Sequence, residues 1–300
     1  MDNRYINIEW RPDLERPVLI AGFTGWNDAA EAASLAVDTL AESWEAKRFG
    51  GFASEEFFDF QATRPQVSLV EGVTRRIEWP ENELHATSRA LRELGDRGAV
   101  LLSGPEPNFR WRTFSKVLAD LAKDLNVEMV VTLGALLADV PHSRPVAVSA
   151  NSQDPALIEN LGLSSSRYEG PTGLTGVLHS LCAEHGLPSV SFWASVPHYL
   201  PSVPSAPAAL ALLESLSTLL GIEADTSHLE RTAGDYQEQI TAAVSQDTDL
   251  ASYVQMLEER FDAAAAAGGI RNLPSGDDLA QELEGFLREH RRENGEEPGQ

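Results

Sequence analysis

The feature that most constrains this chain is a unit recurring through its first two thirds: a short apolar run, a glycine-rich or polar loop, then an amphipathic stretch. Pro17-Val18-Leu19-Ile20-Ala21-Gly22 is short and uniformly apolar, which reads as a buried strand ending on glycine. From Asp28 to Trp44 the positions Ala29, Ala32, Ala33, Leu35, Ala36, Leu40 and Trp44 suit one helical face. Asn27 or Asp28 is placed to cap the free N–H groups at its start. The unit returns at Ala99–Ser103, with a helix near Thr113 to Leu125, and at Glu128–Leu133, followed by Gly134 and a loop to His142. A helix near Thr172 to His185 then precedes a strand at Ser189–Ala194. Such alternation predicts an α/β fold, with helices on both faces of a largely parallel sheet. Segments near Phe52 to Phe60, Gln66 to Trp79 and Val146 to Ala150 predict further strands, some antiparallel, so the sheet is mixed.

Past Gly221 the pattern becomes helical, near His228 to Ser245, Asp249 to Ala267 and Asp277 to Glu289, with no convincing strand. The expected organisation is an α/β/α body over residues 1–221, a small acidic helical domain over 222–290 and a disordered tail over 291–300. From Ile222 onward there are 18 acidic and 6 basic side chains, so about half of the net charge of −23 lies in the last quarter of the chain.

That charge excludes a class of partners, because nucleic acids and anionic membrane surfaces reward a basic footprint. No apolar run reaches the roughly 18 residues of a membrane span, and Met1-Asp2-Asn3-Arg4 does not open a signal region, so a cytoplasmic location is expected. With a single cysteine, Cys182, neither an internal disulfide nor a cysteine-based metal site is indicated. No phosphate-loop or dinucleotide fingerprint occurs, and no cofactor is expected.

In a parallel α/β sheet, ligands gather beyond the carboxyl ends of the strands. Four loops leaving strands are unusual: Gly22–Asp28, Gly104–Arg112, Gly134 through Val140-Pro141-His142-Ser143-Arg144, and Val196-Pro197-His198-Tyr199. A fifth segment, Tyr168 to Gly176, leads into a helix. Taken in order, these segments resemble the proteasome assembly chaperone 2 family, in its bacterial branch with an added C-terminal helical region. The resemblance rests on Gly-Phe-x-Gly-Trp-x-Asp at Gly22 to Asp28, Leu133-Gly134-Ala135 with Val140 to Arg144, Gly170-Pro171-Thr172-Gly173, and Trp193 to Tyr199. It covers roughly residues 15 to 220, and Leu273 to Asp278 fits the appendage of that branch.

The resemblance implies a three-layer α/β/α sandwich similar to purine nucleoside phosphorylases and related hydrolases. It also implies frequent homo-oligomers and, in archaeal and eukaryotic members, a role in assembling proteasomes. Those members commonly engage the proteasome α ring through a C-terminal hydrophobic-Tyr-any signature, and Pro298-Gly299-Gln300 departs from it.

Each polar candidate has a plain reading beside a chemical one. Gly22 and Gly25 could let backbone N–H groups approach an anion, or could simply serve the turn. Trp26 could stack on a ligand, with packing in the core or at a subunit contact as the plainer role, as also for Trp111 and Trp193. Asp28 is a general base or a helix cap. Glu106, held between two prolines, is a carboxylate aimed into a pocket or an ion-pair partner of Arg110 and Arg112. Thr172, beside Gly170 and Gly173, binds an anion or caps its helix.

His142 with Arg144, and His198 with Tyr199, form the best pair of loops for acid/base work. Pro141 and Pro197 equally suggest loops shaped for a subunit contact. His179 and His185 fall about 240° apart around a helix, so they cannot share a face with Cys182 as a metal site.

Two functions compete. The first is a non-catalytic, chaperone-like oligomer that binds a protein partner such as proteasome subunits. The second is a small-molecule hydrolase or phosphorylase-like enzyme: Glu106 or Asp28 activates the attacking group, His142 or His198 protonates the leaving group, and Arg112 or Arg144 holds an anion.

Overall fold

The chain carries eleven strands and eight α-helices among the residues described in this computed structural model, which are 4–70, 74–87, 97–162, 164–165 and 169–266. The parallel centre is made of β2 (Val18–Thr24), β7 (Ala99–Pro105), β8 (Met129–Ala138) and β11 (Ser189–Pro197). On one side β1 (Ile6–Ile8), β3 (Lys47–Phe52) and β6 (Glu83–Ala86) add antiparallel strands. On the other, β9 (Val148–Ser152) runs antiparallel to β11 and is followed by β10 (Ser164–Ser165). The nine-stranded order is β1-β3-β6-β7-β2-β8-β11-β9-β10. The remaining two strands, β4 (Gln66–Val70) and β5 (Thr74–Glu78), pair only with each other.

Helices cover both faces of the sheet. A 3-10 turn at Ala29–Glu31 leads into α1 (Ala32–Ser43), which packs with α6 (Ala206–Leu220) on one face; α3 (Trp111–Asp124) and α5 (Leu174–Glu184) pack together on the other. Alternation along β2 shows why. Val18 and Ile20 enter the α1/α6 core while Leu19, Ala21 and Phe23 enter the α3/α5 core, and all five are completely buried. Two shorter helices, α2 (Ser54–Phe57) and α4 (Pro155–Asn160), sit in connections. The sequence then closes its described part with α7 (Ser227–Ser245) and α8 (Thr248–Ala266), which pack on each other, α7 also against α6.

The mixed, largely parallel sheet between two helical layers is the fold the sequence predicts. Three local readings need correction. Phe52 to Phe60 is not a strand: Phe52 ends β3, and the serine and two glutamates after it start α2. Gln66 to Trp79 does hold antiparallel strands, β4 and β5, but they form a separate two-stranded sheet instead of joining the main one. Thr172 does not cap α5, because the helix begins one residue later, with Gly173 as its N-cap. The helix expected near Asp277 to Glu289 lies outside the described residues.

Candidate functional site

The carboxyl ends of the four parallel strands carry two polar clusters. The first joins the loops after β2 and β7. Gly25, at φ 116°, sits in a turn conformation that side chains disfavour, and the chain then brings buried Asn27 and Asp28 back under the strand ends. Asn27 donates from Nδ2 to Glu106 Oε1 at 2.6 Å, and its backbone carbonyl accepts from Ala135 N–H at 2.8 Å. The same Glu106 oxygen accepts the N–H of Leu174, the first residue of α5, at 2.6 Å. Glu106 is therefore the missing N-terminal cap of α5, supplied from across the sheet, where a carboxylate also complements the helix dipole. Gly173 makes room for this joint: a Cβ there would lie 2.3 Å from Asn27 Oδ1.

Asp28 serves the other face. Its Oδ1 accepts from Ala33 N–H at 2.7 Å and Ser34 N–H at 3.3 Å, and its Oδ2 accepts from the Ser34 hydroxyl at 2.6 Å. Burial pushes this carboxyl above its usual pKa, against the pull of those donors. Gly22 admits α1 closely, since a Cβ there would meet Val37 Cγ2 at 2.9 Å. The arginines expected beside Glu106 are elsewhere: Arg110 pairs with Glu56, and Arg112 is exposed with no ion pair among the described residues. Gly170 and Thr172 are exposed, and Trp26 is 63% exposed, so it is not a core residue. Trp193 instead lays its ring over Gly134 and donates to Ser191 Oγ.

The second cluster joins the loops after β8 and β11 and is covered by α7 and α8. The His142 backbone N–H donates to the Tyr199 hydroxyl at 2.8 Å, and His142 Nδ1 lies 2.8 Å from the same oxygen. His142 Nε2 is 3.3 Å from Thr241 Oγ1 on α7, and that hydroxyl donates its proton to the Gln237 carbonyl at 2.7 Å. The proton count fixes the tautomer: Thr241 can only accept, so Nε2 carries the hydrogen and Nδ1 accepts from Tyr199. Burial holds His142 below the usual imidazole pKa and pushes Tyr199 up to about 12, which keeps histidine neutral and phenol protonated at pH 7.

Arg144 completes the cover with a two-pronged contact to Asp262, both bonds 2.8 Å, and reaches Glu258 at 3.3 Å. The Ser143 hydroxyl also donates to Glu258. His198 pairs with Asp139 at 2.9 Å, and the Tyr253 hydroxyl of α8 donates to the same Asp139 oxygen at 3.3 Å. Asp139, Thr241, Tyr253, Glu258 and Asp262 were not legible as site residues. Their signal is only positional, lying one strand end or one remote helix away.

His142, His198 and Tyr199 thus come together, while no hydrogen bond or ion pair joins either histidine to Glu106 or Asp28 among the described residues. No described serine, threonine or cysteine is hydrogen-bonded to His198. The crevice beside His142, lined by Pro141, Val146, Ser205 and Tyr236 among others, has room for about one water molecule. Cys182 is buried, and its thiol is pushed up to about 11, which leaves it unreactive. No group of three His, Cys, Asp or Glu side chains suited to a metal occurs among the described residues, and no described helix is long and apolar enough to cross a membrane.

Comparison with known proteins places these features. The model of the PAC2 family matches residues 22–244. A Mycobacterium tuberculosis proteasome-assembly chaperone homologue is 43% identical, with TM-score 0.72, over 79% of this chain and 99% of its own. A PAC2 family protein from Streptomyces avermitilis is 41% identical, with TM-score 0.71 and the same coverage. A Mycobacterium tuberculosis protein of unknown function is 28% identical, with TM-score 0.81, over 89% of this chain and 92% of its own. No curated protein matches the chain.

Proposed function

This chain belongs to the PAC2 family, and on that premise we propose that it is a non-catalytic, chaperone-like protein that self-associates and binds a proteasome-related protein partner in the cytoplasm. The similarity to a proteasome-assembly chaperone homologue at 43% identity supports the class of partner. One observation carries the absence of catalysis in this reading: the groups suited to acid/base chemistry are engaged in joints within the chain. Glu106 caps α5, Asp28 caps α1, and His142 lies beneath α7.

In this reading residues 1–221 form the body, residues 222–290 form a helical domain of which α7 and α8 cover the ends of β8 and β11, and residues 291–300 form a tail. The exposed, acidic surface of α7 and α8 then meets the partner, while the body supplies self-association.

Native mass spectrometry of the tagged protein, recovered gently from its own cells, tests the proposal. Recovery of a homo-oligomer with proteasome α subunits is the expected result. A protein carrying a defined small molecule and no protein partner would point to the crevice chemistry instead, making Glu106, His142 and His198 the first residues to mutate.

A further inference from the structure

Strand β11 departs from the pattern of its neighbours. It lies inside the sheet, parallel to β8 on one side and antiparallel to β9 on the other, and an interior strand covered on both faces is ordinarily apolar on both. Towards α1 and α6 it is: Val190, Phe192, Ala194 and Val196 are buried in that core. The opposite face carries Ser189, Ser191, Trp193 and Ser195. Register extends this polar floor across three strands, with Thr132, Ser191 and Asn151 in one row and Gly134, Trp193 and Ser149 in the next. The two rows cover roughly 10 Å across the strands and 7 Å along them. Helix α5 packs on β8 and β11, whereas the helices packed on β9, α4 and α6, belong to the other core. The floor therefore runs from beneath α5 out to half-buried Ser149 and Asn151.

Trp193 is set into this floor as a flat plate. A Cβ on Gly134 would lie 3.0, 2.8 and 2.9 Å from three successive ring atoms, Cδ2, Cε3 and Cζ3. Distances that similar place Gly134 against the plane of the indole, not its edge. The ring cannot swivel freely, because its N–H donates to Ser191 Oγ at 2.9 Å. Around the plate, polar groups stand unused. The Thr132 hydroxyl has no hydrogen-bond partner although the residue is only 2% exposed, an arrangement that costs free energy until a partner arrives. Ser149 and Asn151 make no side-chain hydrogen bond among the described residues, in contrast to Ser152 and Gln153 beside them.

The chemistry of the floor selects its ligand. None of these side chains is charged, so an ion would be desolvated there without a counter-ion. A wholly apolar ligand would leave Thr132 and Asn151 unpaired. Hydroxyls and carboxamides both donate and accept, as the hydroxyls of a sugar do, and the indole face offers apolar surface to the C–H face of a ring. We propose that this floor binds an uncharged, polyhydroxylated six-membered ring, a monosaccharide or cyclitol unit, stacked on Trp193. Such a ligand is independent of the protein partner proposed above, so either can fail without the other.

Saturation-transfer NMR on the full chain tests it with a mixture of D-glucose, D-galactose, N-acetyl-D-glucosamine and myo-inositol as probes. Transfer to the ring C–H protons of at least one probe is expected, and its absence from all of them would overturn the proposal. With the probe that binds, Kd is then compared among wild type, Trp193→Ala and Ser149→Phe, which fills the floor from its half-buried edge; circular dichroism confirms the fold of each. A weakening of about tenfold or more is expected in the folded variants. An unchanged Kd in a folded variant would overturn the site.

Wild type alone supplies a reading free of variant folding. Titration of the same probe should shift the Trp193 indole N–H resonance and leave that of Trp26, which is 63% exposed, in place. A shift at Trp26 with none at Trp193 would put the sugar elsewhere and overturn the assignment.

Discussion

The two halves of the strand-end surface solve one problem differently. At β2 and β7 the polar residues turn inward and complete neighbouring elements: Glu106 caps α5, and Asp28 caps α1. At β8 and β11 the polar residues face outward and are covered by helices from more than ninety residues downstream, through His142, Ser143, Arg144 and Asp139. The first half is stitched into the body, so disturbing it should unfold the body. The second is a removable joint, held by partly exposed contacts that are individually weak, and disturbing it should free the helices while the body stays folded.

The sharpest way to break this contrast is to overfill the inner joint. Gly173→Val drives a branched side chain into the space of buried Asn27, and should cost roughly 3 kcal/mol in chemical denaturation. A loss below about 1 kcal/mol would mean that the joint is loose. Glu106→Ala, which leaves the Leu174 N–H and Asn27 without their acceptor, should cost about 2 kcal/mol, with Glu106→Gln restoring part of it. Equal losses for both variants would show that acceptor geometry contributes nothing.

On the outer joint the expected thermodynamic effect is smaller. Arg144 is 30% exposed, and its partner Asp262 is 56% exposed. Arg144→Ala should therefore lower the global midpoint by less than about 1 kcal/mol, while limited proteolysis within α8 accelerates severalfold. A uniform acceleration across the chain would erase the distinction between the halves.

The smallest expected effect is on pH. Burial lowers the His142 pKa, so the unfolded chain takes up protons first as pH falls below about 6.5. The stability His142 contributes is present above that pH and is lost on the way down to its folded pKa. His85 and His179, also lowered by burial, act in the same direction. Asp28 and Asp38, raised by burial, act oppositely and near the carboxylate range. His142→Gln should therefore flatten the stability profile between pH 7 and pH 5.5, read as denaturation midpoints against pH. An unchanged slope would assign the acid sensitivity to His85 and His179.

The sheet was legible because its signal is local. The runs at Val18, Ala99, Met129 and Ser189 are too apolar to lie anywhere but between two layers. Helix α6 was missed although it buries Leu212 and Leu216 on the α1 face: its alanine- and leucine-rich run shows little polar contrast between faces. The strand-end loops were legible as places where polar residues gather, and the His142–Arg144 loop with the His198–Tyr199 loop as a pair. Their partners were not, since Thr241 and Asp262 carry no motif and meet the loops only through the path of α7 and α8. Nor was the N-terminal cap of α5, because capping is read from adjacent residues and Glu106 lies 68 positions away.

Hydrogen exchange on the full-length protein tests most directly whether the outer loops are a joint beneath the helices. The account predicts that the amides of His142 and His198, which donate to the Tyr199 hydroxyl and the Ala138 carbonyl, are protected in wild type and lose protection in Arg144→Ala together with α8. Exchange of these amides at solvent rates in the wild type, with α8 still protected, would contradict it and return the crevice to open chemistry.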